Sequence, residues 1–462
     1  MITFPVEYIT KNHIIIIQYT MFKITLHYNE SITSSTNSYY SFIIIIITTI
    51  IIIIHKKSTY IPKKIYDIIQ CYSERKQLKY LIQNNNNITI PTKDNNNNKN
   101  NHDDNNYNNN KIIVSEINIH PIKSLRPISV QSTTFTSLGL EGDRTLMLVR
   151  PTYSTLSTSG SVCTHRFLTQ RQCPILATIN ASLPTTIIQS QNNNRTTSTV
   201  IQLSQHDDSS QKVFIDISPS VLQSNPVRYK AGLWDDTIDV VDVGDKAASF
   251  IQQIIQNHQH NNNNNNNDGD VDLYDDVRVV SIIPNVTHRK TDERYVPKSA
   301  YEHYGMTLPE TSLTDGFPIL ITSEESLHEL NTRLEKKGKS LLPMSRFRPN
   351  IVVKGLKKPF DEDEWKAIQI GGCNGPIFHI VKGCPRCKQS CTDQMTGKRD
   401  VEPLETLRDF RALGKNDEDV YFGQNVVLQP MADLNNFIEV GDEVRILTRG
   451  DPVWNSEPAQ AE

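Results

Sequence analysis

The chain has 462 residues, 51 acidic against 48 basic side chains, and a formal net charge of −3. That length allows two or three domains with cores of their own, and the balanced charge leaves no basic surplus for a phosphate backbone, so nucleic acid is not the expected partner. Seven cysteines at uneven spacing, three of them between positions 384 and 391, make a poor disulfide framework and point to thiol chemistry in a reducing compartment.

Residues 1–38 form an N-terminal extension. From Tyr39 to Ile54 the sequence is YYSFIIIIITTIIIII, followed by His55-Lys56-Lys57. This is just short of the ~17–25 apolar residues of a spanning helix. The lysines after it would place the rest of the chain on the cytosolic side, so 39–55 is a possible membrane anchor. A run of Ile and Thr also suits a buried or aggregating strand. Residues 56–110 are an Asn-rich, low-complexity linker, with Asn84–Asn87 and Asn95–Asn98 as its clearest tracts. Polar tracts of this kind lack the apolar surface needed for a packed core.

The globular part begins near Lys111. Ile112–Ile119 is a strand broken by His120-Pro121, after which a turn presents Lys123 and Ser124. Val130–Phe135 and Leu146–Val149 are short β segments around the glycine turn Gly139-Leu140-Glu141-Gly142-Asp143-Arg144. Further strands are expected at Cys173–Ile179, Val200–Leu203, Val213–Ile217 and Ile238–Val243, with 186–198 a loop. This spacing suggests an all-β barrel or sandwich over 111–256. Asp245–Gln256 has a helical apolar period and runs into an Asn-rich insertion at 257–270.

The second half, 271–449, resumes with strands at Val277–Ile283 and Pro318–Thr322. Ser323 then caps a helix over Ser326–Lys336, with acids in its first turn and lysines in its last. Ser345–Val353 enters a strand, Ala367–Ile370 and Ile377–Val381 are strands, Leu404–Leu413 is helical, and Val426–Leu428 and Glu443–Leu447 close the region before a polar tail at 450–462. Mostly strands with a few helices gives a β-dominated α+β fold class.

The chemistry concentrates in Val381–Gly397, VKGCPRCKQSCTDQMTG. Arg386 lies beside a cysteine, and a neighbouring cation favours thiolate, the form that ligates metals or attacks electrophiles. Spacing alone leaves four alternatives: a zinc site from His379, Cys384, Cys387 and Cys391; a thioredoxin-like disulfide; an iron–sulfur cluster; or one catalytic thiolate among bystanders.

The surrounding motifs carry a resemblance. Cys384-Pro385-Arg386-Cys387, Thr396-Gly397, Glu402-Pro403-Leu404-Glu405-Thr406-Leu407-Arg408 and Phe422-Gly423-Gln424-Asn425 are similar to the MOSC domain, as are Phe317–Ser323 and Arg346-Phe347-Arg348-Pro349-Asn350. Pro121-Ile122-Lys123-Ser124 and Gly139–Arg144 resemble the β-barrel domain that precedes MOSC in the amidoxime-reducing branch. The resemblance runs from about Ile113 to Leu447 and implies an N-terminal MOSC β-barrel domain followed by a MOSC β-barrel domain with a few helices.

By that resemblance the chain holds molybdenum–molybdopterin and is an oxidoreductase for small N-hydroxylated substrates, with electrons from cytochrome b5 and NADH-cytochrome b5 reductase. The location implied is the outer mitochondrial membrane facing the cytosol, with a cytoplasmic protein the alternative. Cys387 corresponds to the catalytic molybdenum ligand. Lys123, Ser124, Arg144, Ser323, Arg348, Asn350, Pro385, Arg386 and Asn425 correspond to cofactor-binding positions. Arg offers the planar fork that a buried phosphate favours. The alternative is a cofactor-binding or sulfur-carrying protein of the sulfurase type, whose pyridoxal-phosphate domain would not fit in the first ~110 residues at ordinary domain size. One departure stands out. Gln394 occupies the place of a family proline, so the loop after Cys391 is expected to be less rigid.

Overall fold

A computed structural model describes residues 111–152, 164–191, 194–206, 210–262, 276–283, 286–301, 307–372, 374–414, 419–429 and 436–455. The expected anchor at 39–55 and linker at 56–110 lie outside the described residues.

In chain order the first elements are β1 (Ile113–Ile119), β2 (Ile128–Val130), β3 (Ser132–Thr136), β4 (Gly139–Leu140), β5 (Leu146–Pro151), β6 (His165–Leu168), β7 (Ile179–Ala181), β8 (Thr185–Gln191), β9 (Asn194–Gln205) and β10 (Lys212–Asp216). Helix α1 (Pro219–Ser224), β11 (Arg228–Leu233), β12 (Asp236–Asp242), helix α2 (Asp245–Asn262) and β13 (Arg278–Ile282) follow. Then come β14 (Ile319–Ser323), helix α3 (Glu324–Lys336), β15 (Ile351–Lys354), β16 (Trp365–Ile370), β17 (Ile377–Arg386), helix α4 (Leu404–Arg411), β18 (Val420–Leu428), β19 (Phe437–Glu439) and β20 (Val444–Arg449).

β11, β12, β13, β5 and β6 close into a barrel, sealed by parallel pairing of β6 with β11. Residues on a strand alternate between faces. Met147 and Val149 of β5 accordingly pack inside with Phe167, Leu233, Val240 and Val280, while Leu146 and Leu148 pack outward against Ala247, Ile251, Ile254 and Ile255 of α2. Both faces of β5 are covered, which explains a run apolar at every position rather than at alternate ones. Each such side chain, fully buried, contributes on the order of 1.5–3 kcal/mol.

The second sheet has the order β2-β1-β15-β14-β18-β17-β16-β20. β14 and β15 run parallel with α3 as their crossover. The sheet curls back on itself, because the Val114 amide donates to the Asp442 carbonyl (2.9 Å) and the Gly441 amide to the Val114 carbonyl (2.8 Å). Its core gathers Ile117, Ile319, Ile351, Trp365, Phe378 and Val426, joined by Phe135 and Ile438 from the small sheet β19-β3-β4. β1, from the first half of the sequence, is therefore an interior strand of a sheet otherwise built mostly from the second half.

The strand-rich architecture agrees with the expected class, but three local expectations need correction. Residues 186–198 are not a loop: β8 and β9 pair as a hairpin from Thr185↔Val200 to Gln191↔Asn194. Cys173–Ile179 is not one strand, because Pro174–Thr178 is a 3-10 turn and β7 starts only at Ile179. Pro174 lacks the N–H a strand ladder would use, whereas the first turn of a helix does not need it. Finally, α2 continues past Gln256 to Asn262, since adding a turn to a formed helix fixes few further dihedrals.

Candidate functional site

One cleft collects residues from six chain segments: Lys123, Ser124, Arg144, Thr314–Phe317, Leu320, Arg346–Arg348, Asn350, Cys384–Cys387, Gln389, Ser390 and Asn425. Lys123 and Ser124 come from the turn that Pro121 forces after β1, and Arg144 from the turn after β4. Arg346 to Asn350 lie between a 3-10 turn and β15. The cysteine segment is delivered by β17, which has register shifts at Ile380/Lys382 and Gly383/Pro385. Bulges re-aim a strand and leave room for a residue without an N–H, which is how Pro385 is accommodated here. β16 pairs with β17 only up to His379; beyond it the Gly383 amide donates to the Val453 carbonyl at 2.8 Å. Gly383 is required there: a Cβ would fall 2.4 Å from a ring carbon of Trp454.

Backbone strain converges on the cleft. Ser124 (φ 72°), Arg144 (φ 48°) and Arg348 (φ 55°) line it and are three of the five non-glycine residues with positive φ among the described residues. Such conformations cost about 1–3 kcal/mol each and persist only where the surroundings over-determine them.

The cations are held in different ways. Lys123 Nζ donates to Asp315 Oδ1 at 2.5 Å. Burial pulls its ammonium down to about 8, against the opposing pull of Asp315. Arg144 Nη1 donates to Asp143 (2.5 Å) and to Asn350 Oδ1 (3.2 Å). Asn350 also ties Leu320 and Asn118 through its amide, so it lines the cleft as a brace for Arg144. Arg386 donates to the Phe422 and Phe347 carbonyls, which locks the segment leading to Cys387. Arg348 is 5% exposed, and burial, with the nearby Arg144, pulls it down to about 9. Its Nη1 donates to Gln394 Oε1 (3.0 Å), while among the described residues Nη2 has no partner, and the buried Ser124 Oγ has none there either. Arg346 Nε, also in the cleft lining, is a third. Buried polar atoms are nearly always hydrogen-bonded, so three orphans in one cleft mark where a ligand's acceptors fit.

The three thiols separate sharply. Cys387 is exposed and lines the cleft. Cys384 is half-buried and burial raises its thiol; Cys391 is buried, raised for the same reason, and its Sγ points to the Val401 carbonyl at 3.3 Å. His379 is bonded to Gln429 Oε1 at 2.9 Å. Among the described residues no group of three or more His, Cys, Asp or Glu side chains gathers to hold a metal, so the four-ligand zinc alternative finds no geometry there.

Of the residues expected from the resemblance, the structure brings Lys123, Ser124, Arg144, Arg348, Asn350, Pro385, Arg386, Cys387 and Asn425 to this cleft. Ser323 is the exception and is corrected. It is fully buried and caps α3: its Oγ accepts from the Ser326 amide (3.2 Å) and bonds the Glu362 carboxylate (3.0 Å). A capping hydroxyl engaged in this way cannot also reach the cleft.

The expectation of a looser loop after Cys391 is also corrected. Asp393 Oδ1 accepts from the Met395 and Thr396 amides, and Gln394 is bonded on both arms. Missed altogether were Asp315, Gln170 and Gln394. Asp315 lines the cleft and also accepts from the indole of Trp234 (3.2 Å), a 38% exposed ring with the Arg171 guanidinium 4.2 Å from its centre. Nothing in the local sequence marks Gln170, because its partners lie 224 positions away.

Comparison with known proteins finds two family matches along this chain. The MOSC N-terminal beta barrel domain matches residues 111–258 and the MOSC domain matches residues 309–445. The chain is 28% identical over 346 residues to a mitochondrial amidoxime reducing component 2 from Bos taurus, covering 74% of this chain and 82% of that protein. It is 38% identical over 144 residues to a Homo sapiens mitochondrial amidoxime-reducing component 1, covering 30% of this chain and 39% of the other. A molybdenum cofactor sulfurase from Aspergillus terreus is 30% identical over 146 residues, 30% of this chain and 17% of that one.

Proposed function

Because this chain joins the MOSC N-terminal beta barrel domain to the MOSC domain, we propose that it is a molybdenum-cofactor-dependent oxidoreductase that reduces small N-hydroxylated substrates. The observation that carries the proposal is the exposed Cys387 thiol sharing a cleft with three buried donors that lack a partner among the described residues, Arg348 Nη2, Arg346 Nε and Ser124 Oγ. A soft thiolate suits a high-valent molybdenum centre, and charge-assisted donors suit the dianionic phosphate of its pterin. When bound, the cofactor supplies two-electron chemistry that takes oxygen from an N–OH bond, the products being the N–H compound and water.

The protein's part is binding and orientation. Cys387 holds the metal. Lys123, Ser124, Arg144 and Arg348 hold the anionic end, with Asn350 bracing Arg144. Arg386 fixes the strand end that carries Cys387, while Pro385 and Asn425 form wall. In this scheme electrons come from cytochrome b5 and NADH-cytochrome b5 reductase, and the segment at 39–55 anchors the chain to the outer mitochondrial membrane with its body in the cytosol. The Bos taurus relative, a mitochondrial amidoxime reducing component, supports an amidoxime-reducing activity and a mitochondrial location.

Replacing Cys387 with serine tests the proposal. The exposed position predicts an unchanged melting temperature, since surface substitutions stay within about 0.5 kcal/mol. Bound molybdenum should be lost in the folded variant. Molybdenum retained at the wild-type level would move the ligand elsewhere, with Cys384 the first suspect. The match to a sulfurase favours a second reading, a protein that carries the cofactor or its sulfur. Benzamidoxime turnover by the purified chain with reduced cytochrome b5 supports the reductase; molybdenum and pterin bound without turnover support the carrier.

A further inference from the structure

Gln394 is 3% exposed, and a side chain with that many polar sites is buried only when bonded on both arms. Its Oε1 accepts from Arg348 Nη1 (3.0 Å) and Gln170 Nε2 (3.1 Å); its Nε2 donates to Gln170 Oε1 (2.8 Å) and the Thr392 carbonyl (3.0 Å). Gln170 is fully buried and donates to the Ser124 carbonyl at 2.7 Å. One reciprocal amide pair thus reaches two of the three cleft residues whose side-chain donors lack a partner among the described residues, Arg348 and Ser124, the third being Arg346 through its Nε.

Charge makes this arrangement informative. Lys123 is paired with Asp315, Arg144 with Asp143 and Arg346 with Asp393. Arg386 spends its N–H groups on main-chain carbonyls. Of the cleft cations held by a side chain, Arg348 alone forms no ion pair with a carboxylate among the described residues; its side-chain acceptor is neutral and its Nη2 has no partner there. A carboxylate at position 394 would orient the guanidinium equally well but neutralise it. The amide orients it and leaves the charge for an incoming anion, at the desolvation cost of a buried, unpaired cation.

We propose that the Gln394–Gln170 amide pair is a charge-neutral clamp that positions Arg348 and Ser124 for a phosphate-type anion, and that neutrality at position 394 sets anion affinity. The cofactor reading supplies the identity of that anion's bearer; the clamp itself depends only on its charge. Gln394 and Gln170 are positioning residues that need not touch the ligand.

The test is titration of inorganic phosphate, followed by calorimetry, into the full chain made in a host unable to synthesise the pterin, for wild type, Gln394→Glu and Gln394→Met. Gln394→Glu should lose at least tenfold in phosphate affinity although it can still accept from Arg348. Gln394→Met should lose only a few-fold, because the charge remains and only the orientation relaxes. Pterin retained by the same variants in a competent host should follow the same order. If Gln394→Glu does not fold, Gln170→Glu, one link further out, should show a smaller loss in the same direction. Wild-type affinity in Gln394→Glu, a larger loss in Gln394→Met, or a wild type that binds no phosphate would each overturn the clamp. The expected order with phosphate, but no pterin or molybdenum retained by any variant in the competent host, supports the clamp and sinks the cofactor reading alone.

Discussion

At the scale of single residues, the cleft is defined by what its side chains lack. Lys123 and Arg348 are buried cations pulled down to about 8 and about 9 by desolvation, and Ser124 Oγ and Arg348 Nη2 have no partner among the described residues. The sign of the pH effect follows. Folding lowers the pKa of Lys123, so its ammonium is disfavoured in the fold below about 8, and the fold is relieved of that burden as pH rises toward the unfolded value. Anion binding runs the other way because it needs the proton. Phosphate affinity should therefore fall as pH rises from 7.5 through 9.5, roughly the window of these two groups, and Lys123→Arg should hold affinity to higher pH. Phosphate completes its conversion to the dianion at the low end of that range, which can only strengthen binding, so a fall in affinity by titration calorimetry at several pH values reads the protein; a profile flat through the upper half of the range would show that neither cation carries the binding.

At the scale of elements, α3 and α4 are fixed to the second sheet by buried polar groups as much as by apolar contact. Arg411 of α4 donates to both oxygens of Asp363 and to the Tyr421 carbonyl. Glu362 is fully buried beside the start of α3, where Ser323 and Ser326 donate to it. Burial, with Asp363 adding to it, raises its carboxyl to about 7. A raised carboxyl is fully accommodated below its unfolded pKa and progressively disfavours the fold as pH climbs to about 7. Glu362→Gln, which cannot ionise, should raise the melting temperature at pH 8 and change it little at pH 4.5. On the order of 1–3 kcal/mol is at stake at pH 8. Equal effects at both pH values would show that Glu362 is not ionising within the fold.

At the scale of the whole molecule, the family-model boundaries and the sheets do not coincide. β1 lies in the first domain's sequence range yet sits between β2 and β15 of the second sheet. The cleft takes Lys123, Ser124 and Arg144 from one range and Arg348, Asn350 and Cys387 from the other, with the Gln170–Gln394 pair linking them. Unfolding one part removes strand pairs and buried bonds from the other. The described region should therefore melt in one cooperative transition, with calorimetric and van't Hoff enthalpies in agreement. Two resolved transitions, one for each domain range, would contradict this coupling.

Much of the fold was legible from residue order. β-branched runs marked β1, β12 and β13, the apolar period of α2 was plain, and proline and glycine placed the turns that carry Lys123, Ser124 and Arg144. These signals are local, because strand and helix periodicity is imposed by neighbours in sequence. Motif order was enough to single out nine of the ten expected site residues that the cleft gathers. What residue order could not decide was how each side chain's bonding capacity is spent. Ser323 had both a motif match and a capping role, and only the packing of Glu362 against α3 assigned its hydroxyl to the cap. Gln394 looked like the loss of a stiffening proline until its partner Gln170 came into contact from a distant part of the chain. Three thiols within eight residues were equivalent by spacing; burial of Cys391, partial burial of Cys384 and exposure of Cys387 in the cleft set them apart. Sequence determined which groups are present and the local turns that carry them, because those depend on neighbours. Tertiary structure decided which groups are already satisfied and which remain free to bind, because a buried hydrogen bond is settled by whatever packs against it.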